Sequence, residues 1–111
     1  MLLTLLGSIR APLENEKQTQ LEIANQLDAA GVEYIREFRL APGEIVDFMI
    51  GDVAVEVKIK GSRAGILRQL ERYSAHAAVA QIILLTSRSI LLPPTIGGKP
   101  ACAISLSRAW L

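Results

Sequence analysis

Cysteine and long apolar runs are scarce in this chain of 111 residues. Cys102 is the single cysteine, so no intramolecular disulfide can form and no cysteine pair has metal-site spacing. Such usage fits a reducing cytoplasm, where we expect the protein to reside. The apolar start, residues 1–6, is about one-third of a membrane span and lacks the basic flank of a signal peptide. We expect a short strand or a packed N-terminal arm there, and no membrane association.

Internal repeats and low-complexity tracts are also missing. Half of the residues are hydrophobic and 21% are charged, which is typical of a globular protein and unlike a disordered one. The length suits one domain over residues 1–111. A domain of this size can bury a core without disulfides or a structural metal.

The formal net charge is only +1, which does not by itself indicate any class of binding partner. Residues 1–56 carry four lysines and arginines against ten acidic residues, a net charge of −6, whereas residues 57–111 carry eight against one, or +7. The acidic half could supply metal ligands and the basic half could bind phosphates. Folding could equally scatter these charges over the surface.

Hydrophobic periodicity and turn residues divide the chain into seven main elements. We predict helices over residues 13–30 and 63–78, and strands over residues 32–40, 44–50, 53–60, 80–86 and 101–106. The turn sequence Gly51-Asp52 joins the strands 44–50 and 53–60. In the first strand, apolar residues alternate at 32, 34, 38 and 40, and Arg36 interrupts the pattern.

The order of these elements predicts the fold class. The apolar run 80–86 is typical of a central strand that is buried on both faces. A meander of three strands, followed by a helix and that central strand, predicts an α/β fold in which helices flank a mixed sheet.

Three charged residues come together around the predicted hairpin. Pairing centred on Gly51 and Asp52 sets Asp47 opposite Glu56, at a separation of about 5 Å between cross-strand neighbours. Glu56 and Lys58 are two residues apart on one strand and therefore share a face. Two carboxylates this close repel each other unless a cation lies between them, and their hard oxygens suit Mg²⁺. The lysine could orient a water molecule or stabilise developing negative charge.

A simpler interpretation exists for this trio, because a Glu-x-Lys sequence is common on exposed strands. The catalytic interpretation gains weight from the whole series: Asp47 in a strand, a hairpin, Glu56-Val57-Lys58 in the next strand, and a helix that carries Gln69 and Tyr73.

On these residues the sequence resembles the PD-(D/E)XK nuclease superfamily, over about residues 14–86. Gln69 and Tyr73 are similar to the Gln-x-x-x-Tyr motif of the RecB-like branch. Glu16 and Gln20 are similar to the first helix of VRR-type nucleases and of related phage and resolvase enzymes. Glu14 and Glu22 are rivals for Glu16, but Glu16 shares a helix stripe with Gln20, Ile23 and Leu27. The predicted order αβββαβ agrees with the core of that superfamily.

The resemblance implies a mechanism and a set of roles. Asp47, Glu56 and the backbone carbonyl of Val57 would bind Mg²⁺, for which Mn²⁺ could substitute, and Glu16 would complete the site directly or through water. Lys58 would position the attacking water. Gln69 would orient the lysine or the phosphate.

The other polar residues have less specific roles. Four cations and one aromatic residue could contact DNA: Lys60, Arg63, Arg68, Arg72 and Tyr73. A solvated surface explains the cations nearly as well, and a helical tyrosine on an apolar face is often a core residue. The only histidine, His76, suits a helix surface better than a metal site, and Asp52 suits the turn. Trp110 is a packing anchor or a dimer contact.

The sequence therefore predicts a metal-dependent DNA endonuclease that is structure-selective or weakly sequence-specific, because no motif reads bases and a chain this short has little room for a recognition domain. Cleavage of two strands by one small site favours a homodimer or a higher homo-oligomer. The alternatives are a catalytically silent domain that binds DNA or protein, or a regulator that binds a protein partner.

Overall fold

The computed structural model describes residues 1–108, which form a six-stranded mixed sheet with helices on both faces and a separate pair of short strands. The elements in chain order are α1 (Leu2–Gly7), β1 (Arg10–Ala11), α2 (Glu16–Ala29), β2 (Ile35–Ala41), β3 (Glu44–Ile50), β4 (Val53–Lys58), α3 (Arg63–Ser74), β5 (Gln81–Thr86), β6 (Thr95–Ile96), β7 (Lys99–Ser105) and β8 (Ser107–Arg108). The predicted order of helix, three strands, helix and strand is confirmed by α2 to β5.

The main sheet has six strands in the order β2-β3-β4-β5-β7-β6. Strands β2, β3 and β4 are antiparallel neighbours, whereas β4, β5 and β7 run parallel. Strands β1 and β8 form a separate parallel pair. The prediction of a mixed sheet is confirmed, and β5 is the central strand, because five of its six residues are buried.

Helix α2 has strong local signals at both ends. The side chain of Asn15 caps its start by accepting hydrogen bonds from the backbone N–H groups of Lys17 and Gln18. Gly31 follows its end with a φ of +72°, the left-handed conformation that glycine adopts without strain. Of the predicted apolar stripe, Ile23, Ala24 and Leu27 are buried and Ala30 is exposed.

Helix α3 ends four residues earlier than periodicity predicts. It begins after Ser62, whose side chain accepts a hydrogen bond from Gly65 N–H, and it ends at Ser74 instead of residue 78. The following carbonyl of His76 accepts a hydrogen bond from Lys99 Nζ at 2.7 Å. Ala80 N–H donates to the Asp52 carbonyl at 2.8 Å. These contacts with distant segments redirect the chain into β5 before the helical pattern ends.

The N-terminal segment is a short helix that packs on the core, so the expected packed arm is confirmed and the alternative of a strand is wrong. Leu6 and Ile9 are fully buried, and Leu2 and Leu5 pack against the same cluster. These four positions have the spacing i, i+3, i+4, i+7 of one helix face. Within the described chain, none of the helices has the length and apolar character needed to cross a membrane.

Two hydrophobic layers sandwich the sheet. On one face, Val55, Val57, Ile83 and Leu85 pack with buried residues of α1 and α2. On the other face, Ala54, Ile82 and Leu84 pack with Ile66, Leu70 and Tyr73 of α3. Glu56 and Lys58 belong to the second face by their alternation with Val55 and Val57.

Strand β2 does not keep one apolar face, contrary to the predicted alternation. Tyr34, which lies in the predicted strand 32–40 but directly before β2, packs with the α1/α2 layer, whereas Phe38 and Leu40 pack with the α3 layer. The paired strand changes face at the same level, because Phe48 lies in the first layer and Val46 in the second. Residues two apart share a face in a regular strand, so β3 is distorted between Val46 and Phe48, and β2 is distorted at Glu37, which has a positive φ.

Candidate functional site

The distortion of β2 and β3 is centred on Glu37 and Asp47. Arg36 pairs with Phe48 and Phe38 pairs with Val46, but no pair forms between Glu37 and Asp47, which lie between them. Glu37 has a φ of +51° and is the only non-glycine residue within 1–108 with positive φ. Such strained residues cluster at functional sites. The break turns the tip of the β2–β3 hairpin toward α3 and separates Asp47 from the regular ladder.

Asp47 and Glu56 are joined by reciprocal hydrogen bonds between side chain and backbone. Asp47 N–H donates to Oε1 of Glu56 at 3.2 Å, and Val57 N–H donates to Oδ2 of Asp47 at 2.8 Å. The last regular pair before them is Phe48 with Val55, so the predicted register of the hairpin is confirmed. The side-chain carboxylates replace the backbone bonds that would otherwise continue the ladder.

Burial makes the two carboxylates costly to ionise. Glu56 is only 2% exposed. Burial, reinforced by the Asp47 charge, raises the pKa of Glu56 to about 8, against the opposing influence of Lys58. Burial likewise raises the pKa of Asp47 to about 6, although the hydrogen bond from Val57 and the charges of Lys58 and Arg36 oppose it. Perturbed carboxyl pairs of this kind are characteristic of functional sites.

Lys58 lies next to the carboxylate pair. Its Nζ is 3.5 Å from Oε2 of Glu56, and the lysine side chain remains 22% exposed while that of Glu56 is 3% exposed. An ammonium group in this position faces solvent on one side and the buried carboxylates on the other. The predicted grouping of Asp47, Glu56 and Lys58 therefore exists in the fold.

Glu16 approaches the same end of β4 from the start of α2. Its Oε2 accepts a hydrogen bond from Ile59 N–H at 3.3 Å, and its charge is among the influences that raise the pKa of Asp47, after the larger effect of burial. Within residues 1–108, no three His, Cys, Asp or Glu side chains are placed to hold one metal ion. Direct ligation by Glu16 thus stays a prediction, and its observed contact is with backbone.

Gln69 and Tyr73 form a hydrogen-bonded chain from α3 to the distorted hairpin. Nε2 of Gln69 donates to the Tyr73 hydroxyl at 2.8 Å, and that hydroxyl donates to the Ile45 carbonyl at 2.8 Å. Burial, with the nearby Glu56 and Asp47 carboxylates, raises the pKa of Tyr73. Tyr73 is 1% exposed, so the DNA contact suggested for it has no surface on which to form. Gln69 contacts Tyr73, and its role toward Lys58 or phosphate stays a prediction.

The cations that were expected to contact DNA are all exposed: Lys60, Arg63, Arg68 and Arg72. Arg63 is held in place, because its guanidinium donates two hydrogen bonds to the Leu91 carbonyl at 3.2 and 3.3 Å. Arg88, which pattern reasoning did not select, follows β5 and donates to the Gly61 carbonyl just beyond β4. Lys60, Arg63 and Arg88 therefore lie close to the ends of the parallel strands β4 and β5, whereas Arg68 and Arg72 lie further along α3.

Arg36 is a second residue that the motif did not identify. Its guanidinium lies 5.5 Å from the centre of the Phe48 ring, and Nη2 lies 3.4 Å from Oε1 of Gln20. The signal in the sequence was the interruption of the alternation in the first strand, where an arginine replaces an apolar residue.

Two other candidates stay outside the site. The predicted position of His76 on a helix surface is wrong, because α3 ends at Ser74; its partly exposed side chain has Nε2 at 3.4 Å from Oε1 of Glu44. Trp110 lies outside the described residues.

Comparisons with known proteins identify no relative: no family model, no curated protein and no solved structure matches the chain. The candidate site therefore rests on its own residues and geometry.

Proposed function

We propose that the protein is a Mg²⁺-dependent nuclease of the PD-(D/E)XK type, which hydrolyses phosphodiester bonds in DNA. The observation that carries the proposal is the pair of buried Glu56 and half-buried Asp47, joined through hydrogen bonds to the backbone of Asp47 and Val57, with Lys58 beside it. A pair of desolvated carboxylates destabilises the fold in the absence of a counter-charge. Such a pair beside a partly exposed lysine does not stabilise the fold, so a catalytic role explains its presence better than a structural role does.

The donor atoms suit Mg²⁺, or Mn²⁺ in its place. Asp47, Glu56 and the Val57 carbonyl offer hard oxygens, and Mg²⁺ is usually bound by one or two carboxylates while it keeps several water ligands. A divalent cation would offset both the repulsion within the pair and the cost of burying its charge. The hydrogen bond from Val57 to Asp47 uses one carboxylate oxygen.

In the proposed reaction, bound Mg²⁺ would polarise the phosphodiester and stabilise the leaving oxyanion. The chain supplies the remaining functions. Asp47 and Glu56 orient the reacting groups, and the Lys58 ammonium positions the attacking water and counters negative charge that develops on the phosphate. Glu16 supports the end of β4 through Ile59, and Gln69 and Tyr73 hold the hairpin that carries Asp47.

The preferred substrate class is DNA that is recognised by shape, because the exposed cations suit phosphates and not bases. Lys60, Arg63, Arg68 and Arg72 would bind the strand beside the site. We further propose that the protein acts as a homodimer or higher homo-oligomer, so that two sites can cut two strands.

A catalytically silent domain that binds DNA or protein is the second candidate, and one observation favours it. Asp47 and Glu56 each accept a backbone hydrogen bond, and Glu56 also contacts Lys58. These contacts would satisfy the carboxyl groups in a purely structural site, in which a raised pKa keeps Glu56 protonated near neutral pH.

Cleavage assays and calorimetry separate the two candidates. The nuclease should cut at least one of a panel of single-stranded, duplex, flap and four-way DNA substrates with Mg²⁺ or Mn²⁺, and EDTA should abolish cutting. Glu56→Ala should lose both cutting and calorimetric metal binding while circular dichroism shows a folded protein. Asp52→Asn, which changes an exposed carboxylate on the same hairpin, is the matched control and should behave as wild type. An intact panel and no metal binding would favour the silent domain.

A further inference from the structure

Arg36 lies next to the carboxylate site, although it is not itself part of the motif. It pairs across the β2–β3 ladder with Phe48, which directly follows Asp47 in the chain. Cross-strand partners are about 5 Å apart, and its charge is one of those that oppose the raised pKa of Asp47, an increase caused mainly by burial. The position is next to the ladder break, where β3 leaves its regular geometry.

Two contacts orient the guanidinium of Arg36. The Phe48 ring centre is 5.5 Å from Cζ, within the range of a cation–π contact. Oε1 of Gln20 is 3.4 Å from Nη2, and Gln20 lies one helical turn after Glu16, so both residues project from the same side of α2. The fold thus holds Arg36 on the α2 side of Asp47, whereas Lys58 lies beside Glu56.

Arg36 is not a member of either ion pair found among the described residues, Lys58 with Glu56 and His76 with Glu44. The side chain is exposed. A planar guanidinium carries five N–H donors in a geometry that matches two oxygens of a phosphate. One donor group faces Gln20, and the stacking contact uses only the face of the plane, so donors along its edge remain available to an anion at the site.

We propose that Arg36 is a further substrate-binding residue, which contacts a phosphate of the DNA strand at the Asp47–Glu56 site. The inference rests on the proposed function for the identity of the strand. Arg36 and Lys58 would then place positive charge on both sides of the reacting phosphodiester. The contact would position the phosphate before cleavage and stabilise the charge that increases during it.

The test compares Arg36→Gln with Arg39→Gln, because Arg39 is an exposed arginine of the same strand on the other side of the ladder break. Circular dichroism first checks that both variants fold. Fluorescence anisotropy then measures the binding of labelled duplex DNA in EDTA at several salt concentrations, and single-turnover assays measure cleavage with Mg²⁺ at saturating protein.

Arg36→Gln should weaken binding and should make the slope of log K against log salt shallower by about 0.9, the value for one lost phosphate contact. It should also lower the cleavage rate by about tenfold or more, and Arg36→Lys should recover only part of the loss. Arg39→Gln should stay within about twofold of wild type in both measurements.

The outcomes distinguish this inference from the proposed function. If wild type cuts DNA and Arg36→Gln cuts and binds like Arg39→Gln, the inference is overturned while the nuclease assignment stands. If wild type cuts nothing, the nuclease assignment fails, and the binding measurements in EDTA still decide the role of Arg36. The phosphate contact is supported if DNA binding is weaker for Arg36→Gln but not for Arg39→Gln. Equal binding by the two variants overturns it.

Discussion

Asp47 N–H donates a hydrogen bond to Oε1 of Glu56, and the N–H of the residue after Glu56, Val57, donates a hydrogen bond to Oδ2 of Asp47. This exchange ends the regular β3–β4 ladder and brings the half-buried carboxylate of Asp47 next to the buried carboxylate of Glu56. Backbone donors thus stabilise a pair of like charges that would otherwise separate. The pair is the origin of the following predictions.

The stability of the metal-free protein should fall as the pH rises from about 4.5 to about 8. Burial raises the pKa of Glu56 from 4.5 to about 8 and that of Asp47 from 3.8 to about 6, so the folded state binds more protons than the unfolded chain over this range. Stability therefore decreases with pH, and is highest below the unfolded pKa values. Thermal melts in EDTA at about pH 5, 6, 7 and 8 would measure this decrease in stability.

Glu56→Gln should remove most of that dependence, because an amide imitates the protonated carboxyl group at every pH. Glu33→Gln, at an exposed position, is the control and should keep the wild-type decrease. Saturating Mg²⁺ should raise the melting temperature of wild type more at the alkaline end, where the carboxylates are ionised. A melting temperature that rises with pH in EDTA would contradict the raised pKa values of Asp47 and Glu56.

Lys58→Met should separate a catalytic lysine from a structural one. The ammonium lies 3.5 Å from Glu56, so its removal takes away a counter-charge but leaves the metal ligands. We expect metal and DNA binding to persist, and the single-turnover cleavage rate to fall by about 10²-fold or more. Lys60→Met, at an exposed lysine that is proposed to contact DNA, should instead weaken DNA binding and keep the cleavage rate at saturating protein. A Lys58→Met rate within about twofold of wild type would remove Lys58 from the mechanism.

Tyr73→Phe should weaken the fold and leave DNA affinity unchanged. The substitution deletes the hydroxyl that joins Gln69 to the Ile45 carbonyl, and leaving buried polar groups unpaired costs about 1–3 kcal/mol. Urea unfolding measures this loss, and anisotropy measures DNA binding. Tyr34→Phe, which loses a more exposed hydroxyl bond to Asp28, should cost less. A large loss of DNA affinity in a folded Tyr73→Phe variant would restore the contact that its burial argues against.

Substitutions of Glu37 should report on the ladder break. Its φ of +51° disfavours β-branched residues, so Glu37→Val should destabilise the protein by about 1–2 kcal/mol. Glu37→Gly should be nearly neutral, because relief of strain offsets the greater freedom of glycine in the unfolded chain. Urea unfolding would measure both variants beside Glu33→Val, an exposed position outside the strands. Equal effects of valine at 33 and 37 would contradict the strain at Glu37.

Local patterns alone determined the hairpin that carries the site. Gly51 and Asp52 form a two-residue loop, and the alternation of Val53, Val55 and Val57 assigns Glu56 and Lys58 to the opposite face. Loop length and a period of two residues suffice to specify strand register. For this reason the placement of Asp47 beside Glu56, the mixed sheet and the central strand could all be inferred before the fold was known.

Tertiary contacts decided what lies around that hairpin. The Tyr73–Ile45 hydrogen bond joins residues 28 apart, and the Glu16–Ile59 bond joins residues 43 apart, so neither leaves a trace in local periodicity. The same applies to the left-handed Glu37 and to Arg36, whose approach to the site depends on the change of face in β2. Sequence spacing specifies which side chains share an element. Packing between elements determines which of them are buried, which are strained and which remain open to a ligand.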